Sequence, residues 1–131
     1  MVTYTLKQVG PFAIEIASGT WKMRLDQPMK RGGGDSGPGP TDLVPIAVAG
    51  CEMMLALISA SNHGHPLTGV EATVDKQFLP NPSRLADMHV VLKNVLSQLP
   101  PELHERVKAA IAACPVVNTL EQPPKVYSDI S

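Results

Sequence analysis

The sequence predicts one domain, residues 1–131, that mixes strands with helices. Three observations carry that reading. The first third alternates apolar and polar residues in short runs, the pattern of strands with one buried face. The stretch from Leu43 to Ala60 is almost wholly apolar and reads as a helix. Thirteen prolines and ten glycines, Pro 13 and Gly 10 in 131 residues, punctuate these segments with turns and loops. A chain of this length suits a single domain.

Composition excludes several function classes. Hydrophobic residues make up 44% and charged residues 18%, a globular balance. The net charge is -1, from 11 basic and 12 acidic side chains. Non-specific nucleic-acid binding needs a basic excess, so no nucleic-acid partner is expected. Aromatics at 4% argue against a base-stacking platform. Two cysteines are too few for a disulfide-stapled miniprotein or a four-cysteine zinc site. The start, Met1 to Lys7, lacks the basic residues and apolar core of an export signal, so a cytoplasmic location is expected. In a reducing compartment two cysteines are either buried thiols or a redox pair.

Each element has its own signal. Val2, Tyr4 and Leu6 alternate, as do Phe12, Ile14 and Ile16, and then Trp21, Met23 and Leu25. Ser18-Gly19 between the second and third runs predicts a hairpin. Asp26 to Pro40 reads as irregular, and Arg31 to Pro40, with Gly32-Gly33-Gly34 inside it, as a flexible loop with no apolar residue to pack. Thr41-Asp42 is a helix start, and Asn62 with Gly64 suits its end. A helix apolar on every side is a membrane span or a core helix. Pro45 and Glu52 interrupt this one, no basic flank borders it, and a span needs ~20 clean residues. A buried central helix is therefore expected, with no membrane partner.

Val70, Ala72, Val74 and Phe78 predict a strand, and Leu79-Pro80-Asn81-Pro82 a turn. Leu85, Met88, Leu92, Val95 and Leu99 fit a helical face, while Met88, Val90 and Leu92 also fit a strand. Pattern leaves both open. Pro100-Pro101-Glu102 opens a helix whose apolar face is Leu103, Val107, Ala110 and Ile111. Cys114-Pro115 ends it. Val126, Ser128 and Ile130 predict a last short strand.

Cys51 lies in the apolar helix and Cys114 at the end of another. A cysteine in an apolar run is ordinarily a small buried hydrophobe. Cys114-Pro115 stands at an element end, where a side chain can be reached. Gly33-Gly34-Asp35-Ser36-Gly37-Pro38-Gly39-Pro40-Thr41-Asp42-Leu43, then Ala47-Val48-Ala49-Gly50-Cys51, and later Ala112-Ala113-Cys114-Pro115-Val116 resemble the OsmC/Ohr family of thiol-dependent hydroperoxide reductases. Element order is similar over nearly the whole chain.

The resemblance implies an α+β OsmC-like fold, with β-sheets around a long buried central helix, in an intertwined homodimer with sites at the subunit interface. It implies a thiol-dependent peroxidase for organic hydroperoxides that acts in oxidative-stress defence. Cys51 would be the peroxidatic thiol that becomes a sulfenic acid, Cys114 the resolving thiol, and a dithiol the reductant. It also implies that Met88 to Val95 is strand, and it calls for no cofactor. The alternative is a non-catalytic OsmC-like protein that binds a small apolar ligand at the dimer interface.

A thiol in an apolar helix has a raised pKa, because desolvation disfavours thiolate. Peroxide attack therefore needs a nearby cation. The family uses an arginine held by a glutamate, and Arg31 stands at a similar place before Cys51. Where the family has glutamate, this chain offers Thr41 and Asp42. Asp42 is one methylene shorter, and an acid there also suits a helix N-terminus. Nine residues of regular helix would separate Asp42 from Cys51 by ~13 Å, so an arginine would have to bridge them. Glu52 adjoins Cys51 and predicts a partner or a wet pocket. His63-Gly64-His65 is a weak metal pattern, and no metal is expected. The glycine run lacks the Gly-Lys-Ser/Thr of a phosphate loop.

Overall fold

The computed structural model describes residues 2–131. The chain forms two compact units, Met1–Val44 and Pro45–Ser131. Its elements are α and β in the expected order, with antiparallel sheets and one long helix.

The amino-terminal unit holds β1 (Thr5–Gln8), β2 (Ile14–Ser18) and β3 (Trp21–Leu25), paired antiparallel in that order. Leu6, Ile16 and Met23 stand in register across the sheet. Ser18 pairs with Trp21, and Gly19 takes φ 55 in the tight turn between them, as Ser18-Gly19 predicted. The burial expected of these strands is only partly realised. Ile16 and Leu25 are buried, while Tyr4, Leu6 and Trp21 are exposed. Tyr4 and Trp21 instead meet each other, with ring centroids 6.4 Å apart. Phe12 falls outside its expected strand, in the bend before β2, where a Cβ on Gly32 would touch its ring.

The segment after β3 is not the flexible loop that its composition suggests. Asp26 is only 5% exposed and its carboxylate organises the loop. Oδ2 accepts from the Ser36 hydroxyl at 2.6 Å, the Ser36 amide at 3.1 Å and the Gly34 amide at 3.2 Å. Oδ1 accepts from the Gln27 amide at 2.7 Å. The Asp26 amide donates to the Pro38 carbonyl at 3.1 Å, and the Asp35 amide to the Gln27 carbonyl at 3.1 Å. Gly33 and Gly37 permit these approaches, since a Cβ at either would overlap the Gln27 or the Arg24 carbonyl oxygen.

These hydrogen bonds, the Ser36 hydroxyl foremost, hold the Asp26 carboxyl below its ordinary pKa. A depressed carboxyl contributes stability that is present above the ordinary carboxylate value and lost as pH falls through the folded value. Asp26→Asn should therefore flatten the acid limb of stability. Urea midpoints measured from neutral pH into acid would show it, and an unchanged acid limb would refute it.

The second unit is built on α1 (Leu43–Asn62). β4 (Glu71–Leu79) and β5 (Arg84–Lys93) form an antiparallel hairpin, with Ala72 opposite Leu92, Val74 opposite Val90 and Lys76 opposite Met88. The segment that pattern left open is thus strand through Lys93. Leu96–Gln98 then makes one 3-10 turn, and α2 (Pro101–Ala112) follows. Ala56 and Ala60 of α1 form the core with Val95, Leu99 and Val107. Leu67, Val70, Leu92, Leu96 and Ile111 pack around it. His104 Nε2 lies 3.0 Å from the carbonyl oxygens of both Leu96 and Leu99. Two acceptors require the proton on Nε2, which ties α2 to the turn before it.

α2 ends just ahead of Cys114-Pro115, as expected; one element is added after it and one expectation is corrected. The residues after Cys114-Pro115 continue into a further helix, α3 (Pro115–Glu121), because proline at the first helical position lacks only an amide that would be orphaned anyway. The strand expected at Val126, Ser128 and Ile130 does not form; these residues pair with no strand among the described residues, and Ile130 is 94% exposed.

The central helix also departs from expectation. Pro40–Asn62 is long and apolar enough to cross a membrane. Pro45, Val48, Ala49, Ala56, Ser59 and Ala60 are buried, as in a core helix. Ile46, Met54 and Ile58 are about half exposed on another face, Met54 at 56%. Burial is therefore confined to one flank within the chain.

Candidate active site

Cys51 sits mid-helix in α1 and is half-buried, whereas Cys114 is 1% exposed. Both thiols are free. α3 brings them together. Cys114 is its N-cap, and the Val117 amide donates to Cys114 Sγ at 3.5 Å. The Cys114 thiol and the Val116 amide both act on the Cys51 sulfur. The pair predicted from separate segments, 63 positions apart, is thus adjacent in one unit.

The Cys51 thiol is pushed above its ordinary pKa. The largest cause is its hydrogen bond with Cys114, followed by burial and by the charges of Cys114 and Glu52; the Val116 amide pulls the other way. Among the described residues of its own unit, the groups that act on this sulfur include no cation.

Glu52 was expected to have a partner or a wet pocket, and the structure places it beside a cavity. Among the described residues no hydrogen bond or ion pair engages its carboxylate, and burial raises its pKa. It borders a cavity of about 360 Å³ between α1, β5 and α3. Two consequences follow for Glu52→Gln. The Cys51 thiol should alkylate faster at neutral pH, because a negative neighbour is removed. The fold should also gain stability at neutral pH. A raised carboxyl favours folding below its ordinary pKa, and that contribution is lost as pH rises through the folded value, so a neutral amide removes the loss. Timed iodoacetamide labelling and urea titration test both, and a slower-labelling variant would contradict the first.

Arg31 and Asp42 belong to the amino-terminal unit. Arg31 ends the 3-10 turn Met29–Arg31 inside the loop that Asp26 organises, and its amide donates to the Pro28 carbonyl at 2.9 Å. Its side chain is exposed, and within the described residues it makes no hydrogen bond or ion pair. Asp42 Oδ2 accepts from the Gly39 amide at 3.0 Å, the capping role open to an acid ahead of α1. Sequence reasoning missed Asp26 altogether. Its signal is weak: an aspartate followed, eight and ten residues on, by Gly34 and Ser36 in a glycine-rich stretch. His63 Nδ1 lies 2.8 Å from the Ser59 carbonyl oxygen, an ordinary helix-end contact.

Comparison with known proteins agrees with this framework. The family model for OsmC-like protein matches residues 32–129, so the chain belongs to the OsmC-like family. Its fold is similar to an osmotic-stress-induced and detoxification response protein assignment from Psychrobacter arcticus 273-4, with a TM-score of 0.77 and 20% identity over 91% of this chain and 88% of that one. An OsmC-like protein from Mycoplasma pneumoniae matches with a TM-score of 0.67 and 18% identity, covering 93% and 89%. An organic hydroperoxide resistance protein OsmC from Legionella pneumophila matches with a TM-score of 0.56 and 21% identity, covering 92% and 90%. At these identities the likeness is one of fold. No curated protein sequence matches the chain.

Proposed function

We infer that this OsmC-like chain, read as one domain over 1–131, is a cysteine-based peroxidase for organic hydroperoxides. The observation that supports the reading is the interaction of the Cys51 thiol with Cys114, whose sulfur caps α3. In this mechanism the Cys51 thiolate attacks the hydroperoxide oxygen. A sulfur–oxygen bond forms, the O–O bond breaks, and the alkoxide leaves and takes a proton to become an alcohol. Cys51 is now a sulfenic acid, oxidised by two electrons. The Cys114 sulfur then attacks the Cys51 sulfur. A disulfide forms, and the hydroxide leaves with the Cys114 proton as water. An external dithiol reduces the bridge and is itself oxidised to a disulfide.

The raised Cys51 thiol needs a positive charge for the first step. We assign that role to Arg31, with Asp42 orienting it, and we place the reaction in a homodimer. The half-exposed Ile46, Met54 and Ile58 stripe of α1 favours such an assembly, since apolar surface of this kind gains by coverage. Arg31→Met should lower kcat/KM by about tenfold or more and shift the pH dependence of Cys51 labelling to higher pH. An unmoved labelling profile would remove Arg31 from the site.

The reading is tested by incubating the reduced protein with cumene hydroperoxide and a dithiol. The expected result is catalytic peroxide loss and, without the dithiol, a Cys51–Cys114 bridge in the peptide mass map. Thiols that stay fully alkylatable after peroxide exposure would exclude it. One observation favours the second reading, a non-catalytic holder of a small apolar ligand: Glu52 and Cys114 both oppose thiolate formation at Cys51. That reading requires the same assay to show no bridge.

A further inference from the structure

We propose that a second cavity, between the end of β5, the turn Leu96–Gln98 and α2, binds a small amphiphilic acid: an alkyl chain that ends in one carboxylate. The proposal is independent of the peroxidase reading, since neither cysteine lines this cavity.

The cavity holds about 380 Å³, within the lower range of ligand pockets. Leu92, Val95, Leu96 and Ile111 give it apolar walls. Val95 belongs to the core, and the other three pack against it, so the floor of the cavity is the outer face of the core. Among the described residues its one charged lining group is Lys108, and no carboxylate lines it. Lys108 stands one turn before Ile111 on α2, on the same side of the helix. A lysine there lays its methylene stem on the apolar wall and keeps its ammonium at the water edge.

The walls are fixed before any ligand arrives. Asn94, which also lines the cavity, takes φ 65, and its Nδ2 donates to the Gly69 carbonyl at 2.9 Å. Gln98 Nε2 donates to the Thr68 carbonyl at 2.8 Å and to the Asn94 carbonyl, and Gln98 Oε1 accepts from the Thr68 amide at 3.2 Å. Both ends of the segment 94–98 are thus tied to the segment 68–69, and a preformed wall loses little freedom on binding. Ser97, inside the tied segment, adds a lining hydroxyl that makes no hydrogen bond among the described residues.

These groups set the class of ligand. An alkyl chain gains by leaving water against the apolar walls. A carboxylate head accepts from the ammonium and the hydroxyl, and a bond between opposite charges is the stronger kind. Lys108 Nζ now lies 3.4 Å from Glu105 Oε1, with the two side chains 55% and 87% exposed. An ion pair so open to water is weak, and Glu105 does not line the cavity, so a ligand carboxylate can replace it without stranding a buried charge. An alkylammonium would meet Lys108 as a like charge.

The test is an amide NMR titration of the isotope-labelled full chain, with its thiols reduced, against octanoate, octanol and octylammonium below their micelle concentrations. Octanoate should give saturable shifts centred on residues 92–97 and 108–111. It should bind about tenfold more tightly than octanol, and octylammonium more weakly than either. Lys108→Met should erase the advantage of octanoate over octanol. Glu105→Gln, which removes the competing carboxylate, should tighten octanoate by about twofold to fivefold. Ser97→Phe, at an exposed position on the lining, should weaken both octanoate and octanol by filling the space. Shifts that do not saturate, that centre on the thiol pair, or that Lys108→Met leaves unchanged would overturn the proposal. Octanol binding as tightly as octanoate to the wild-type chain would overturn it too. Peroxide turnover enters none of these readouts, so loss of the peroxidase reading leaves the test intact.

Discussion

Cys51→Ser should reduce peroxide consumption to the rate without protein, a loss of about a thousandfold or more, because removing a nucleophile removes the chemical step. Cys114→Ser should behave differently. Its Cys51 can still be oxidised once, so the variant should consume one equivalent of peroxide and stop. The product should be a sulfenic acid that dimedone traps. The difference follows from the geometry. Cys114 is 1% exposed and acts on the Cys51 thiol, so on the proposed mechanism the resolving group is already in place. An external thiol would have to reach the same sulfur from solution. A burst followed by arrest is the signature. Sustained turnover by Cys114→Ser at the wild-type rate would show that resolution takes another route.

The second large effect is expected at Gly33. A Cβ there would overlap the Gln27 carbonyl oxygen, which is backbone and cannot swing aside. Gly33→Ala must therefore break the turn that the Gly33 amide makes with the Pro28 carbonyl at 3.1 Å, or open the Gln27–Asp35 contact. Forced overlaps of this kind cost about 1–3 kcal/mol. The loop also carries Arg31, so the variant should lose peroxidase activity by about a hundredfold, as expected when a charged group is misplaced. Cys51 and Cys114 lie in the other unit, and peroxide should still be able to bridge them slowly. Gly19→Ala is the control. It replaces a glycine at positive φ, but nothing lies within 4 Å of its Cβ, and it should keep its activity. Equal activity in the two variants would detach the loop from the chemistry.

Much of this arrangement is legible in the sequence. Alternation and Gly19 marked the β2–β3 hairpin, and the apolar run from Leu43 marked α1. The thiol pair was legible through the motifs around Cys51 and Cys114. What escaped did so for physical reasons. Cys114-Pro115 reads equally well as the end of one helix and the start of another, because proline forbids the first continuation and suits the second. Val126, Ser128 and Ile130 have the period of a strand, but a strand also needs an edge to pair with, which periodicity does not encode. The loop around Asp26 looked unstructured because its order comes from a buried carboxylate rather than from apolar contacts. The exposed face of α1 was hidden because composition reports how apolar a helix is, not how much of it the rest of the chain covers.

The capping of α3 by a thiol has one more consequence. The Val117 amide donates to Cys114 Sγ and the Val116 amide acts on the Cys51 sulfur, the two sulfurs whose bonding a redox cycle would change. Closing a bridge redirects the lone pairs and dihedral angles of both acceptors at once. The first turn of α3 should then register oxidation as a change in amide hydrogen exchange, confined to two adjacent valines. The backbone would serve as a built-in readout of the state of the thiols, visible without any reagent that touches them.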